Sequence, residues 1–288
     1  MSFFSVIIPS YNRAHIVTRA IDSVLNQSFQ DFEIIIVDDG STDDSKNTIS
    51  AIADSRVKYI YQTNKGVCAA RNNGASNASG NYFVFLDSDD YVTNNWLEDF
   101  YSATLTNASD LVFCDMRLID MVKKTERIIT ATDPHELGIS SEEGMYLAGT
   151  FCIKKSFFDT IGGFDEKIKF GEFTEFGFSS KIKNPVNSFT GKLGLVYEAS
   201  LDGGSKNVKN KIEANLYIIE KHNYYFKAQP HVLRFYYQNI GVAYARLKEW
   251  KMARMFFWKA YFIKPLKIKT LIRFLVCFYP KLACKIIK

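Results

Sequence analysis

The chain has 288 residues, of which 47% are hydrophobic and 23% charged, a composition typical of a folded soluble protein and not of a disordered chain. Its net charge of +5 is unevenly distributed, because residues 246–288 contain twelve Lys or Arg residues and a single acid, Glu249. This end therefore carries +11 and residues 1–245 carry −6, so we expect the two parts to serve different roles.

Two further features bear on the cellular compartment. The sequence lacks a secretory leader pattern and an uncharged apolar run of about 18 residues, so we predict no spanning helix. Its five cysteines form no CxxC pair, which indicates free thiols in a reducing environment. We therefore expect a cytoplasmic protein.

The first 120 residues alternate short apolar segments with helical stretches. Strands are predicted over residues 4–9, 33–39, 57–62, 81–87 and 110–116. Helices are predicted over residues 14–27, 43–53, 67–77 and 94–106. Apolar strands separated by single helices predict an α/β architecture, a mostly parallel, Rossmann-like sheet with helices on both faces.

The pattern changes after residue 120. Residues 119–150 are polar and irregular and predict loops and short strands on an acceptor side, followed by a strand, a helix over 154–160 and a Gly-Gly turn. Aromatic-rich helices are predicted from about residue 208. We therefore expect two domains, 1–207 and a basic, α-helical region over 208–288.

The helical region contains a pattern of one tetratricopeptide-like helix pair. Its signature positions are Tyr237, Ile240, Gly241, Tyr244, Ala253, Phe257, Ala260 and Pro265. Gly241 and Ala253 would allow the two helices to approach closely. Because a single repeat is not stable alone, we expect the pair to pack on helices over 211–222 and 267–278, or on a partner, which includes a second copy of the chain.

Three of the predicted strands end in polar clusters. PSYN follows the first strand, DDGSTD the second and DSDD the fourth. Parallel α/β sheets bind ligands at the carboxyl ends of their strands. The Asp-x-Asp of the third cluster offers oxygen ligands for a hard divalent cation. An aspartate of DDGSTD could accept the imide N–H of a pyrimidine, although a turn and a helix cap also explain that cluster.

The segment NKGVCAARNNG places two cations near the start of the helix after the third strand. Lys65 and Arg71 could both neutralise a diphosphate. Solvation at the surface is the alternative for Lys65, whereas Arg71 lies in a small-residue helix and favours the functional interpretation.

Taken together, PSYN, VDDGSTD, NKGVCAARNNG and FLDSDD resemble, in order and spacing, the GT-A fold glycosyltransferases of family 2, and IGGFDE extends the resemblance to about residue 180. The resemblance implies an inverting sugar transfer from a nucleotide-diphosphate donor, often a UDP-sugar, with Mn²⁺ or Mg²⁺. It also implies roles for single residues. Pro9, Tyr11 and Asn12 would lie beside the nucleotide, Asp39 at the nucleobase, Arg71 near the phosphates, Asp87 at the ribose and Asp89 on the metal. Lys65 and Ser88 are further candidates for binding the nucleotide sugar.

One residue departs from the family pattern. Family members usually carry a catalytic base in a Glu-Asp pair after a phrase like FGE, but here Phe173 follows Glu172. A phenyl ring cannot accept a proton, so Glu172, adjacent to the missing aspartate, or Glu175 is predicted to be the base, and Glu172 is favoured. The alternative is that both are helix-start acids without a catalytic role.

The last 25 residues, 264–288, combine apolar residues with seven basic ones and no acid. Such a segment can contact an anionic inner-membrane surface peripherally, or it can pack its apolar face on the helix pair and solvate its lysines. Nucleic acid is not an expected partner, because no recognised motif accompanies the charge.

The sequence therefore predicts a metal-dependent inverting hexosyl- or N-acetylhexosaminyltransferase. Its acceptor would be the hydroxyl of a glycan or a lipid-linked glycan, in cell-surface polysaccharide synthesis at the cytoplasmic membrane face. The alternative is a catalytically weak nucleotide-sugar-binding protein whose helical end recruits partners.

Overall fold

Strands from most of the first 199 residues form one mixed sheet. The structure is a computed structural model and describes residues 2–106, 108–133, 145–199, 207–265 and 267–287. Within these residues the strands are β1 (Phe4–Ser10), β2 (Phe32–Asp38), β3 (Val57–Tyr61), β4 (Tyr82–Phe85), β5 (Tyr91–Val92), β6 (Leu111–Asp120), β7 (Thr125–Ile129), β8 (Phe151–Lys154) and β9 (Asn187–Ala199). Their order is β3-β2-β1-β4-β8-β6-β9-β5, and β7 pairs with β6.

The half of the sheet that begins the chain is parallel, as the sequence predicted. β2 pairs with β3 and β1, and β1 pairs with β4, all in parallel. Every residue of β1, β2 and β4 is buried, which explains why these strands are apolar almost throughout. Beyond β4 the sheet becomes mixed, because β8 runs antiparallel to both β4 and β6.

Helices of this part connect the strands and pack on them. They are α1 (Val17–Leu25), α2 (Ser45–Ser50), α3 (Val67–Ser76), α4 (Trp96–Thr106), α5 (Lys155–Ile161) and α6 (Glu172–Lys181). α3 packs on β1 and β2, and α4 packs on β6 and β9. α1 starts three residues later than predicted, and the N–H groups of Arg13 and Ala14 donate instead to Ser45 and Asp43.

The sequence did not predict β9, the longest strand among the described residues. Its thirteen residues include Lys192 and two glycines, and its burial follows no regular alternation. β9 forms because it pairs with β6 over most of its length, and its own sequence shows no strand pattern. A Cβ on Gly194 would lie 2.5 Å from both Cys114 Sγ and Trp96 Cδ1, so the glycine permits a close approach there. Part of the predicted acceptor-side segment, residues 134–144, lies outside the described residues.

Contacts between Cα atoms divide the chain into two units. The first comprises Met1–Lys167 and Glu172–Leu201, and the second comprises Ile168–Gly171 and Asp202–Lys288. Helices of the second unit are α7 (Val208–Lys221), α8 (Asn223–Ala228), α9 (Pro230–Arg246), α10 (Trp250–Ile263), α11 (Ile268–Val276) and α12 (Pro280–Ile286). None of the described helices combines the length and the apolar character that crossing a bilayer requires.

The predicted helix pair is present as α9 and α10. A Cβ on Gly241 would lie 2.8 Å from the ring of Phe257, which is fully buried, so the glycine brings the two helices together there. The pair packs as expected on its neighbours. Ile212 of α7 contributes to one core cluster with Ile240 and Phe256, and α11 and α12 contribute to a second cluster around Phe257.

Candidate active site

The polar clusters after β1, β2 and β4 meet at one edge of the sheet, as the sequence predicted. Because β1 lies between β2 and β4 and all three are parallel, their carboxyl ends are neighbours. Backbone hydrogen bonds continue this alignment past the strands: Asp39 N–H donates to Ser10 O at 2.8 Å, and Leu86 N–H donates to Ile7 O at 3.0 Å. The loops that follow are therefore held side by side.

Asp39, which was predicted to bind the nucleobase, is buried and hydrogen-bonded to the residues that precede α3. Its carboxylate accepts hydrogen bonds from the N–H groups of Lys65 and Gly66, both at 2.8 Å, and from Gln62 Nε2 at 2.7 Å. Since a carboxylate can accept about four hydrogen bonds, one direction is left for a ligand N–H. These contacts fix the orientation of Asp39, while the Lys65 side chain remains exposed.

The residues of PSYN differ in what they offer to a ligand. Asn12 joins the two loops, because its Oδ1 accepts the Thr42 N–H at 2.8 Å and its own N–H donates to Ser41 Oγ at 2.9 Å. Tyr11 is 47% exposed, so its ring is available for stacking. Pro9 is buried within β1.

Three aspartates lie together after β4. One carboxylate oxygen from each of Asp87, Asp89 and Asp90 lies within 4.8 Å of the other two. Burial and the neighbouring Asp87 raise the pKa of Asp89, and burial followed by Asp87 and Asp89 raises the pKa of Asp90 well above its ordinary value. Ser88, predicted to bind the nucleotide sugar, lies between Asp87 and Asp89 in sequence and is buried.

This acidic cluster fits a divalent cation on chemical grounds. Its donors are carboxylate oxygens, the ligands that Mg²⁺ and Mn²⁺ prefer, and their mutual repulsion would be relieved by a bound positive charge. From the sequence, Asp89 alone was predicted to bind the metal. Asp90 was overlooked, although it is the last residue of the FLDSDD motif.

Two arginines beside the acidic cluster were also overlooked. Arg13 Nη2 lies 3.7 Å from Asp89 Oδ2. Arg19 donates through Nη2 to the Asp89 carbonyl at 2.6 Å and through Nη1 to Glu198 Oε2 at 2.8 Å, and its guanidinium lies over the Tyr91 ring. Arg13 directly follows PSYN, which is a usable signal, but Glu198 belongs to the unpredicted β9.

Arg71 links the acidic cluster to the predicted base. The side chain is only 1% exposed, and it donates through Nη2 to Asp87 Oδ1 at 2.7 Å and through Nη1 to Glu172 Oε1 at 3.0 Å. Burial acts to lower the pKa of Arg71, but the two carboxylates outweigh it and raise the pKa. The sequence indicated a role for Arg71 near the phosphates, but not this bridge.

Phe173 contacts the same guanidinium through its ring. Its ring centroid is 4.3 Å from the Arg71 guanidinium carbon, and it makes edge contacts with Phe164 and Phe151 at 5.3 and 6.0 Å. Phe173 is therefore part of an aromatic core, while the preceding residue, Glu172, is bonded to the arginine that also holds Asp87.

The two candidate bases differ in access. The Glu172 side chain is 20% exposed, whereas Glu175 is only 1% exposed and its Oε1 accepts a hydrogen bond from Ser179 Oγ at 2.7 Å. A proton acceptor must come within hydrogen-bond reach of the substrate. The geometry therefore favours Glu172 over Glu175.

The chain is similar to curated glycosyltransferases over part of its length. It is 43% identical over 124 residues to an uncharacterized glycosyltransferase of Haemophilus influenzae, covering 40% of this chain and 50% of that protein. It is 38% identical over 109 residues to glycosyltransferase GlyA of Streptococcus pneumoniae, covering 37% of this chain and 16% of that protein. The chain thus spans half or less of the length of these relatives.

The fold also matches a solved structure. A crystal structure of S. aureus TarS 1-349 in complex with UDP-GlcNAc superposes with a TM-score of 0.70 at 18% identity, covering 98% of this chain and 88% of that one. At this identity the match shows the GT-A fold alone. The model of the family described as Glycosyl transferase family 2 matches residues 5–164, more than half of the chain, and the chain therefore belongs to that family.

Proposed function

We propose that this glycosyltransferase transfers a hexosyl or N-acetylhexosaminyl group from a UDP-sugar to an acceptor hydroxyl with inversion, and that Glu172 is the catalytic base. The observation that carries the proposal is the Arg71 bridge, which holds Glu172 at 3.0 Å and Asp87 of the acidic cluster at 2.7 Å. The buried guanidinium of Arg71 thereby holds a candidate catalytic base and a carboxylate of the acidic cluster close together.

The donor would bind where the three loops meet. The exposed ring of Tyr11 is suited to stack on a base, and the remaining acceptor direction of Asp39 is suited to an imide N–H. The TarS structure of the same fold holds UDP-GlcNAc, which supports a UDP-sugar as the donor class.

A cation would be held by Asp89 and Asp90, with Asp87 beside them. When bound, Mn²⁺ or Mg²⁺ supplies positive charge that stabilises a departing diphosphate. Arg13, which lies near Asp89, is an exposed cation that can approach the same phosphates.

Glu172 would take the proton of the acceptor hydroxyl as its oxygen forms a bond to the anomeric carbon. The bond from that carbon to the diphosphate oxygen breaks on the opposite face, so a single displacement inverts the centre. Arg71 acts as a positioning residue, because both of its terminal nitrogens are bonded to carboxylates. No covalent sugar–enzyme intermediate is needed.

The acceptor is proposed to be a glycan or a lipid-linked glycan, within cell-surface polysaccharide synthesis. Support for this class comes from the family resemblance. We also propose that residues 1–207 form the catalytic domain and 208–288 an accessory helical region.

A second candidate function is favoured by Phe173. Since this phenyl ring stands where the family carries an aspartate, the protein could bind nucleotide sugars with weak catalysis while its helical region recruits partners. Turnover separates the two functions.

The test combines donor binding with donor consumption. UDP with Mn²⁺ should raise the melting temperature, and one UDP-sugar of a panel should be consumed, by transfer or by slow hydrolysis. Asp89→Asn should weaken the metal-dependent part of binding. If the protein binds UDP with Mn²⁺ but consumes no donor in the panel, the binding function replaces the catalytic one.

A further inference from the structure

The outward face of α11 is apolar. Ile268, Ile272 and Leu275 follow one another at helical spacing and are 43% to 70% exposed. Thr270, on the opposite side of the helix, is buried. α11 therefore packs one side on its own unit and presents a second, apolar side that no described residue covers.

The neighbouring helices of the same unit also expose apolar side chains. Trp258 of α10 stacks on Phe274 of α11 with ring centroids 4.8 Å apart, and it also contacts the exposed Phe262 at 4.6 Å. Phe278 and Tyr279 extend the face beyond the end of α11, and both are exposed. Leu282 and Ile286 of α12 are exposed as well, so three consecutive helices expose apolar side chains.

Basic side chains are also exposed along this segment. Lys264, Lys267 and Lys269 are exposed at the start of α11, and Lys281 and Lys285 are exposed on α12. No acidic residue occurs in the sequence from residue 250 to 288. The segment that forms α10, α11 and α12 therefore exposes both apolar and basic side chains and contains no acidic residue.

We propose that this surface, formed by α10, α11 and α12, binds the interface of an anionic lipid bilayer. An anionic bilayer offers an apolar region for the isoleucine, leucine and aromatic side chains and headgroup charges for the lysines. Trp and Tyr are suited to the boundary between the two regions. This inference is independent of the sugar chemistry and goes beyond the proposed function.

Charge argues against a second copy of the chain as the occupant. Residues 250–286, which span these three helices, carry nine Lys or Arg residues and no acid, so two such surfaces placed face to face would repel each other. A bilayer of opposite charge instead gains from every lysine that reaches it.

The test is co-sedimentation of the full-length protein with vesicles. Vesicles that contain phosphatidylglycerol should bind the protein, and pure phosphatidylcholine vesicles should bind it much more weakly. Trp258 fluorescence should shift to the blue on binding, and Trp258→Phe should remove most of that shift.

Two variants divide the apolar from the electrostatic contribution. Ile272→Gln with Leu275→Gln should reduce binding at least tenfold, and Leu105→Gln, at an exposed leucine of α4, is the matched control. Lys267→Gln with Lys269→Gln should reduce binding roughly twentyfold, because each lysine contributes about fivefold, and Lys46→Gln with Lys124→Gln should not.

Unfolding measurements ensure that the variants are folded, and the lysine pair tests the proposal even if the apolar pair unfolds. Equal binding to neutral and anionic vesicles, or unchanged binding of both variants, would overturn it. So would a dimer that dissociates in the Ile272→Gln/Leu275→Gln variant while the wild-type protein ignores vesicles.

Discussion

Glu172 and Phe173 are neighbours in sequence, and both contact the Arg71 guanidinium. Arg71 is bonded to the carboxylate of Glu172 and lies under the ring of Phe173. A buried arginine needs anionic partners, and its flat faces favour an aromatic ring. At the position where the family carries an aspartate, this chain therefore has a phenylalanine that packs on Arg71. The preceding glutamate is bonded to the same arginine.

The first prediction concerns the choice of base. Glu172→Gln keeps the size of the side chain but cannot accept the proton, so kcat should fall by roughly 100-fold or more. UDP affinity, measured by calorimetry, should change little. Glu175→Gln is the matched control on the same helix and should retain most of the activity of the wild-type enzyme, unless Glu175 is the base, in which case the two results are exchanged.

A second prediction concerns Phe173. Phe173→Asp should lower the free energy of unfolding by at least about 3 kcal/mol, because it removes a buried ring and places a carboxylate among aromatic side chains. Phe173→Leu, which stays apolar, should cost less. Urea unfolding measures both. If Phe173→Asp is as stable as the wild type and raises kcat, the family aspartate still has its site here and Glu172 is not its replacement.

Sequence motifs identify residues that are close in the chain, which is why part of the site could be predicted. The aspartates of FLDSDD and the cluster DDGSTD are each contiguous. The bridge from Arg71 to Glu172 joins residues 101 positions apart, and the ion pair of Arg19 with Glu198 joins residues 179 apart. Such pairs depend on tertiary structure, and no local pattern marks them.

At the level of elements, one carboxylate ties together three segments of the parallel sheet. Glu33 of β2 accepts hydrogen bonds from Ser5 Oγ of β1 at 2.7 Å, from Lys58 Nζ of β3 at 2.6 Å and from Ser79 N–H before β4 at 2.6 Å. Burial acts to raise the pKa of Glu33, but these partners outweigh it and lower the pKa from 4.5 to about 2.

This shift predicts a pH-dependent contribution to stability. The Glu33 pKa is lower in the folded state, so its ionised form stabilises the fold above about pH 4.5, and this stability is lost as the pH falls toward 2. Glu33→Gln should therefore destabilise the protein on the order of 2 kcal/mol near neutral pH. The difference from the wild type, measured by urea unfolding, should shrink below about pH 4.5. A difference that is constant with pH would contradict this account.

The helix pair permits a prediction in which two effects oppose each other. Gly241→Ala gains about 1 kcal/mol in helix propensity, but the new Cβ would lie 2.8 Å from the Phe257 ring, and such overpacking typically costs about 1–3 kcal/mol. We expect a net loss of stability. Phe257→Leu removes the ring atoms concerned, so Gly241→Ala should cost less in that background than in the wild type. Additive effects in this double-mutant cycle would show that the contact is not the cause.

Among the elements, β1, β2 and β4 were predictable because burial on both faces makes them mostly apolar. β9 was not, since its order comes from pairing with β6 and not from its own residues. The helix starts were predicted within about three residues. The largest of these differences include α1, where the N–H groups of Arg13 and Ala14, just before the helix, donate to the side chains of Ser45 and Asp43.

For the whole molecule, the order of the sheet turns three separate motifs into one site. PSYN, DDGSTD and DSDD are distant in the chain, but β1 lies between β2 and β4, so the loops after them are adjacent. The separation of acidic and basic residues is likewise a feature of the whole chain. The acidic cluster belongs to the first unit, and the basic surface of α10 to α12 belongs to the second.

Hydrogen exchange on the whole chain tests whether the three loops act as one binding site. UDP with Mn²⁺ should slow exchange in residues 11–13, 39–41 and 87–90 together, because a ligand that contacts all three loops stabilises the hydrogen bonds within each. β7, over Thr125–Ile129, serves as the internal reference and should be unaffected. Asp89→Asn should abolish the part of the protection that needs Mn²⁺ while the part due to UDP alone persists. Protection confined to one loop would mean that the strand ends meet without forming a shared nucleotide site.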